Sequence, residues 1–287
     1  AVSRYLDLLG AAAQRSGSHL CVGIDPVPDA IPAPLRDSTA GIWRWIETLI
    51  DATAPHATAF KMNIAYFEAL GSDGARLAEQ VRARIPAHLP LIVDAKRGDI
   101  GATVAAQGAA LFDRLGADAV TANPYLGIGA LAPLLDRPDR FTYLLCRTSN
   151  PEAGDVQSLM VGATPDAPGE SLAARIARLA AARPEAQAGR VGLVVGATDP
   201  TALREIREVA PELPFLVPGV GAQGGAADEV IAVGGVRVQR ASLGTAAGLL
   251  VNVGRGITDR VTSADRASAE LDAAAAEWGR RLAILAP

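Results

Sequence analysis

Three charged residues set close together give the first chemical signal. They are Asp94, Lys96 and Asp99, within the string Ile-Val-Asp-Ala-Lys-Arg-Gly-Asp-Ile-Gly-Ala-Thr at 92–103. On a strand, residues two apart leave the same face, so Asp94 and Lys96 are expected to point together. Asp99 follows beyond the strand end, after Gly98, a residue that permits a sharp turn. The expected result is an ammonium flanked by carboxylates. Such a setting keeps Lys96 protonated and aimed, which suits a proton donor to a carbanion. It suits a Schiff-base lysine poorly, because that nucleophile must be neutral. Taken alone, the string also fits an ion-pair cluster at a strand end.

Other candidates fall at the ends of apolar runs. Asp25 closes the first run, Lys61 and Asn63 the second, and Gly254-Arg255-Gly256 the last. Asp25 with Lys61 is either part of a site or a buried structural ion pair. An arginine beside glycines in that last position matches the usual phosphate position of a barrel, or else an ordinary turn. His19, His56 and His88 each fall just before a strand-like run, on the face away from any such site. That placement argues against histidine acid–base chemistry and against a histidine metal site. Cys21 and Cys146 sit in apolar runs and read as reduced core residues, with no redox or zinc spacing.

Eight β-rich runs alternate with helical patterns along the chain. The strand candidates are 19–25, 57–63, 89–96, 117–124, 141–148, 191–197, 214–219 and 249–255. Helices are expected at 42–54, 64–70 continuing to 85, 100–115, 129–135, 171–182, 200–209, 227–232 and 263–285. Residues 1–17 have helical periodicity and charge, and no apolar region of a signal peptide. Continuous apolar strands such as 91–93 are expected to be buried on both faces, as parallel strands under helices are. The pattern predicts an α/β fold, a single (β/α)8 TIM barrel over residues 1–287. The turn after the first strand, Asp25-Pro26-Val27-Pro28, cannot cradle a pyrophosphate, which excludes a Rossmann reading. Long loops at 149–170 and 221–248 follow strands and belong on the catalytic face.

Of the 287 residues, 49% are apolar but only 4% aromatic, because Ala, Leu and Val carry the hydrophobicity. Small aliphatics suit helices packed closely on a sheet. A formal charge of −4 with scattered basic residues argues against a nucleic-acid surface. No apolar run approaches the roughly 20 residues of a membrane span. The expectation is a soluble, cytoplasmic protein with neither a nucleic-acid nor a membrane partner.

Context sharpens the central string. It resembles the signature of orotidine 5'-monophosphate decarboxylases: an apolar residue, Asp-x-Lys-x-x-Asp, Ile, a small residue, any residue, Thr. Every element is met, from Val93 through Asp94, Lys96, Asp99, Ile100, Gly101 and Thr103. Val22-Gly-Ile-Asp-Pro26 and Phe60-Lys-Met-Asn63 are similar to that family's first two strand ends. Thr148-Ser-Asn-Pro151, Pro218-Gly-Val-Gly-Ala-Gln223 and Val253-Gly-Arg-Gly-Ile257 are similar to its fifth, seventh and eighth. The Asn-Pro-Tyr-Leu-Gly string at 123–127 and the extended length resemble its longer bacterial branch.

The resemblance implies a cofactor-free barrel enzyme, with no metal, that decarboxylates orotidine 5'-monophosphate to UMP. It implies that Asp25 and Lys61 hold the ribose hydroxyls, Lys61 also joining the charge network. Asp94 and Lys96 would meet the substrate carboxylate and C6. Asp99 and Thr103 would enter the neighbouring subunit's site, making a homodimer obligatory. Ser149 would read the pyrimidine edge, and Gln223 would bridge base and phosphate. Arg255 and the Gly254 N–H would bind the phosphate. Gln223 departs from the pattern: the family's longer loop precedes it, whereas here the extra length follows, at 226–248. A structural glutamine in a glycine-rich turn fits it too. The rival enzymes are Mg²⁺-dependent sugar-phosphate decarboxylases or synthases of the same suprafamily, which end strand two in an acid where this chain has Lys61. A Schiff-base aldolase and a non-catalytic phosphate-binding barrel are more distant.

Overall fold

The computed structural model describes residues 3–164, 169–221, 224–234 and 248–284. Eight parallel strands close into a barrel, each paired with its sequence neighbours and the last with the first. They are β1 Leu20–Ile24, β2 Ala59–Asn63, β3 Leu91–Arg97, β4 Ala119–Ala122, β5 Phe141–Arg147, β6 Val191–Val195, β7 Phe215–Val217 and β8 Leu249–Val253. Strands β1 and β6 are buried along their whole length, as strands with helices outside and packed side chains inside must be. Each predicted strand is present, shortened where its ends belong to loops.

Alternation along the strands separates two apolar layers. Outward residues such as Val22, Phe60, Val93 and Val251 join the helices in one large cluster. Inward residues Cys21, Ala59, Ile92, Ala119, Phe141, Tyr143, Val194, Leu216 and Leu250 form a second. Helix Arg4–Ser16 contributes Tyr5, Leu6 and Leu9 to that inner cluster and so closes the N-terminal end of the barrel. Ser3 caps this helix, and Tyr5 meets the Tyr143 hydroxyl at 3.0 Å. The two phenols satisfy each other where no water can. Cys21 and Cys146 are free and buried, and burial pushes the Cys21 thiol up to about 12.

Several helices differ from the sequence pattern. The predicted continuous helix 64–85 is two, Ile64–Glu68 and Gly71–Arg84. The predicted 100–115 begins as helix Gly101–Gly108 and goes on as a π-helical segment, Ala109–Arg114. The closing helix is shorter, Ala267–Arg281. A two-stranded antiparallel ribbon, Met160–Val161 with Glu170–Ser171, rises in the loop after β5, where no strand is expected. Among the described residues no helix is long and apolar enough to cross a membrane.

Candidate active site

The C-terminal mouth of the barrel opens into a cleft of about 840 Å³, and the inner face that is apolar below becomes polar here. Register brings the carriers together: Gly23 lies opposite Lys61, and Asn63 opposite Asp94. Lys61 is only 4% exposed, and its ammonium donates to Asp94 Oδ2 at 3.1 Å. Lys96 donates to the other oxygen, Oδ1, at 2.7 Å, and Thr121 Oγ1 donates to that same oxygen at 2.7 Å. One carboxylate thus sits between two ammonium groups. The expected order, an ammonium between the two carboxylates of its own chain, is reversed: Asp99 makes no contact with Lys96, and its Oδ1 accepts the Ile100 N–H.

Electrostatics follow from that packing. Burial pulls the Lys61 pKa down, but Asp25 and Asp94 outweigh it, so the net shift is upward and the ammonium persists. Burial pushes Asp94 up, yet Lys61, Lys96 and the Thr121 hydroxyl together hold it well below the usual carboxylate range. Asp25 acts on Lys61 through space; the direct partner of Lys61 is Asp94, so a simple Asp25–Lys61 pair is not what forms. One buried oxygen of Asp25 and one of Asn252 have no hydrogen-bond partner, an uncommon state for buried polar atoms.

The way Lys96 reaches Asp94 differs from plain strand alternation. The β3–β4 register shifts between Val93 and Arg97, and Lys96 has a φ of +47°, the one positive value for a non-glycine among the described residues. Its N–H donates to Thr121 Oγ1 at 2.9 Å, which helps to hold this uncommon conformation. Such conformations persist where surrounding contacts over-determine them, and functional sites are frequent among those places. Its side chain is 49% exposed against 13% for Asp94, so the lysine projects into the open cleft above a sheltered carboxylate. Gly98 does not use the positive φ open to glycine. It is needed because a Cβ there would lie 2.7 Å from the Asn123 carbonyl oxygen, where the chain after β3 presses on β4.

Asp25, Lys61, Asp94, Lys96, Ser149, Gly254 and Arg255 all line this one cleft. Asp99 and Thr103 do not; Thr103 stands exposed on helix Gly101–Gly108. Gln223 lies outside the described residues. Arg255 is exposed, with no carboxylate partner among the described residues, at the start of the short helix Arg255–Thr258. Sequence reasoning missed Thr121, Asn252 and Gln157, all of which line the cleft. Inward parity on the fourth and eighth strands was the available signal for the first two.

The histidines lie at the other end, as expected. His19 Nδ1 meets the Leu249 carbonyl oxygen at 3.1 Å, and His56 meets Asp272 at 2.9 Å. A hollow of about 820 Å³ near Arg82, Arg84 and Arg114 also opens at that end. Those arginines are already paired with Asp118, Asp51 and Glu79, so among the described residues it offers no free cation for an anion. Among the described residues no three metal-capable side chains gather.

A family model described as orotidine 5'-phosphate decarboxylase / HUMPS family matches residues 18–269. An orotidine 5'-phosphate decarboxylase of Herpetosiphon aurantiacus is 45% identical over 231 residues, covering 80% of this chain and 84% of its own. The structure of Leishmania donovani OMP decarboxylase matches with a TM-score of 0.80 at 35% identity, over 98% of this chain and 99% of that one. Leishmania donovani UMP synthase matches with a TM-score of 0.82 at 38% identity; 98% of this chain is covered, spanning 56% of that longer protein.

Proposed function

The chain belongs to the orotidine 5'-phosphate decarboxylase family, and on that premise we propose that it converts orotidine 5'-monophosphate to UMP and CO2, with Lys96 as the proton donor. The observation that carries this reading is the Asp94 carboxylate held between Lys61 and Lys96, at 3.1 and 2.7 Å, in a cleft that Arg255 also lines.

Loss of CO2 from the pyrimidine leaves an electron pair on C6 with no adjacent carbonyl to accept it. Stabilisation must therefore come from charge fixed in place before the bond breaks. The Lys96 ammonium supplies that charge at C6, then gives its proton to C6 to complete UMP. Asp94 stays ionised beside it, because Lys61 and Lys96 hold its pKa down. It therefore does not compete for the proton, and its repulsion of the substrate carboxylate is relieved as CO2 leaves. No metal or prosthetic group has a part in this chemistry.

Recognition is divided along the substrate. Asp25 and Lys61 take the ribose hydroxyls, Ser149 the pyrimidine edge, and Arg255 with the Gly254 N–H the phosphate. Gln223 bridges base and phosphate. Energy from the remote phosphate contact holds the reacting end in place. Asp99 and Thr103 act in the neighbouring subunit's site, in a cytoplasmic homodimer of one-domain barrels spanning 1–287. Their absence from their own cleft supports this, as does the exposed apolar surface beside them.

A Mg²⁺-dependent sugar-phosphate enzyme would need an acid where Lys61 stands, and the Lys61 ammonium repels a cation. The test is a spectrophotometric assay with orotidine 5'-monophosphate, with and without EDTA. Turnover unaffected by EDTA is expected. No turnover, or turnover abolished by EDTA, overturns the reading.

A further inference from the structure

Ser149 sits at the end of β5, and its placement is set by groups other than itself. Regular pairing ends where the Gly196 N–H donates to the Arg147 carbonyl at 2.7 Å. The next N–H, that of Thr148, has left the sheet and donates instead to Gln157 Oε1 at 2.8 Å. Gln157 Nε2 in turn donates to Thr148 Oγ1 at 2.9 Å, so one side-chain amide clasps one residue at two points. Arg147 reaches the same Oε1 at 3.4 Å and Asp199 at 3.2 Å. From the other side, Thr198 Oγ1 donates to the Ser149 carbonyl at 3.2 Å. Gly196 leaves room for that approach: a Cβ there would lie 2.8 Å from the Ser149 nitrogen and 2.9 Å from its Cα.

Gln157 belongs to the loop after β5, in the helical turn Gly154–Gln157. Its neighbours Asp155, Val156 and Ser158 are exposed, so the amide clasp is a principal attachment of this turn to the strand end. A glutamine serving only to fold its own loop would spend its amide within that loop. This one gives both ends to the residue directly before Ser149.

We propose that Gln157 is a positioning residue for pyrimidine recognition: by holding the Thr148 N–H and hydroxyl it sets the peptide that carries Ser149, and so ties the seating of the helical turn Gly154–Gln157 to the reading of the base. The proposal rests on the base-reading role given to Ser149 above.

Titration calorimetry with UMP and with ribose 5-phosphate, which lacks the base, separates the two ideas. Gln157→Leu leaves the Thr148 N–H unpaired and should weaken UMP by about tenfold, a typical loss for such a bond, with ribose 5-phosphate nearly unchanged. Gln157→Glu keeps an acceptor for that N–H and a partner for Arg147, and should restore most of the UMP affinity. Gly196→Ala, which forces Ser149 to shift, should reproduce the selective loss without touching the clasp. Ser149→Ala, measured alongside, should show the same selectivity. Equal weakening of both ligands by Gln157→Leu, or no weakening, overturns the proposal while leaving Ser149 as base reader. An indifferent Ser149→Ala overturns the route through Ser149. Wild type that fails to prefer UMP over ribose 5-phosphate overturns the reading of the site itself, and the proposal with it.

Discussion

Asp94 accepts from Lys61, Lys96 and Thr121 at once, and this has a consequence for stability. Its folded pKa is depressed, so the stability it contributes is present above the unfolded value and lost as pH falls. Below about pH 4, the ordinary aspartate value, the unfolded chain takes up a proton that the folded protein refuses. Denaturant unfolding of wild type should therefore weaken more steeply between about pH 4 and pH 2 than that of Asp94→Asn. Parallel curves would mean that Asp94 is not held ionised by its neighbours. Asp94 and Lys96 were legible in the sequence because two charges interrupt an apolar strand, a costly placement without a purpose. Thr121 offered only the weaker signal of inward parity on its strand, and Gln157 offered none: a glutamine is ordinary in a loop. The pairing of β4 beside β3 brings Thr121 to Asp94.

At the scale of elements, the eight strands were legible because barrel strands are apolar on both faces and bounded by turn residues. What escaped were the departures from regularity. The shift in β3 has no periodic signature, and the ribbon Met160–Val161 with Glu170–Ser171 is too short to have one. Helix Arg4–Ser16 shows its amphipathic pattern in the sequence, but not its partner, the open bottom of the barrel. Leu9 is fully buried there, so Leu9→Ala should lower unfolding free energy by about 2–5 kcal/mol. Decarboxylation per folded molecule should stay at the wild-type level, because the cleft lies at the opposite end. Loss of turnover in fully folded Leu9→Ala, checked by circular dichroism, would mean that this helix shapes the cleft as well.

At the scale of the molecule, three of the seven large apolar side chains exposed among the described residues, Ile100, Tyr125 and Leu126, lie on the segments that follow β3 and β4, close to Asp99 and Thr103 in sequence or across the strand ends. Ile100 is 64%, Tyr125 81% and Leu126 55% exposed, and the outward residues of helix Gly101–Gly108 include alanines. A surface of that kind suits a two-fold partner presenting the same face. Mixing inactive Lys96→Ala and Asp99→Ala homodimers should then restore activity, because each hybrid holds one intact site. Random reassortment of independent subunits gives roughly a quarter of wild-type activity. Activity that stays at the sum of the two mutants, with exchange verified by mass spectrometry, would place Asp99 in its own chain's chemistry or in none. The role of Lys96 underlies all of this, and single-turnover decarboxylation by Lys96→Ala measures it most directly. The variant should fold, bind UMP, and lose more than about a thousandfold in rate, since both the charge at C6 and the proton donor are gone. Retention of a tenth or more of wild-type turnover would contradict the account.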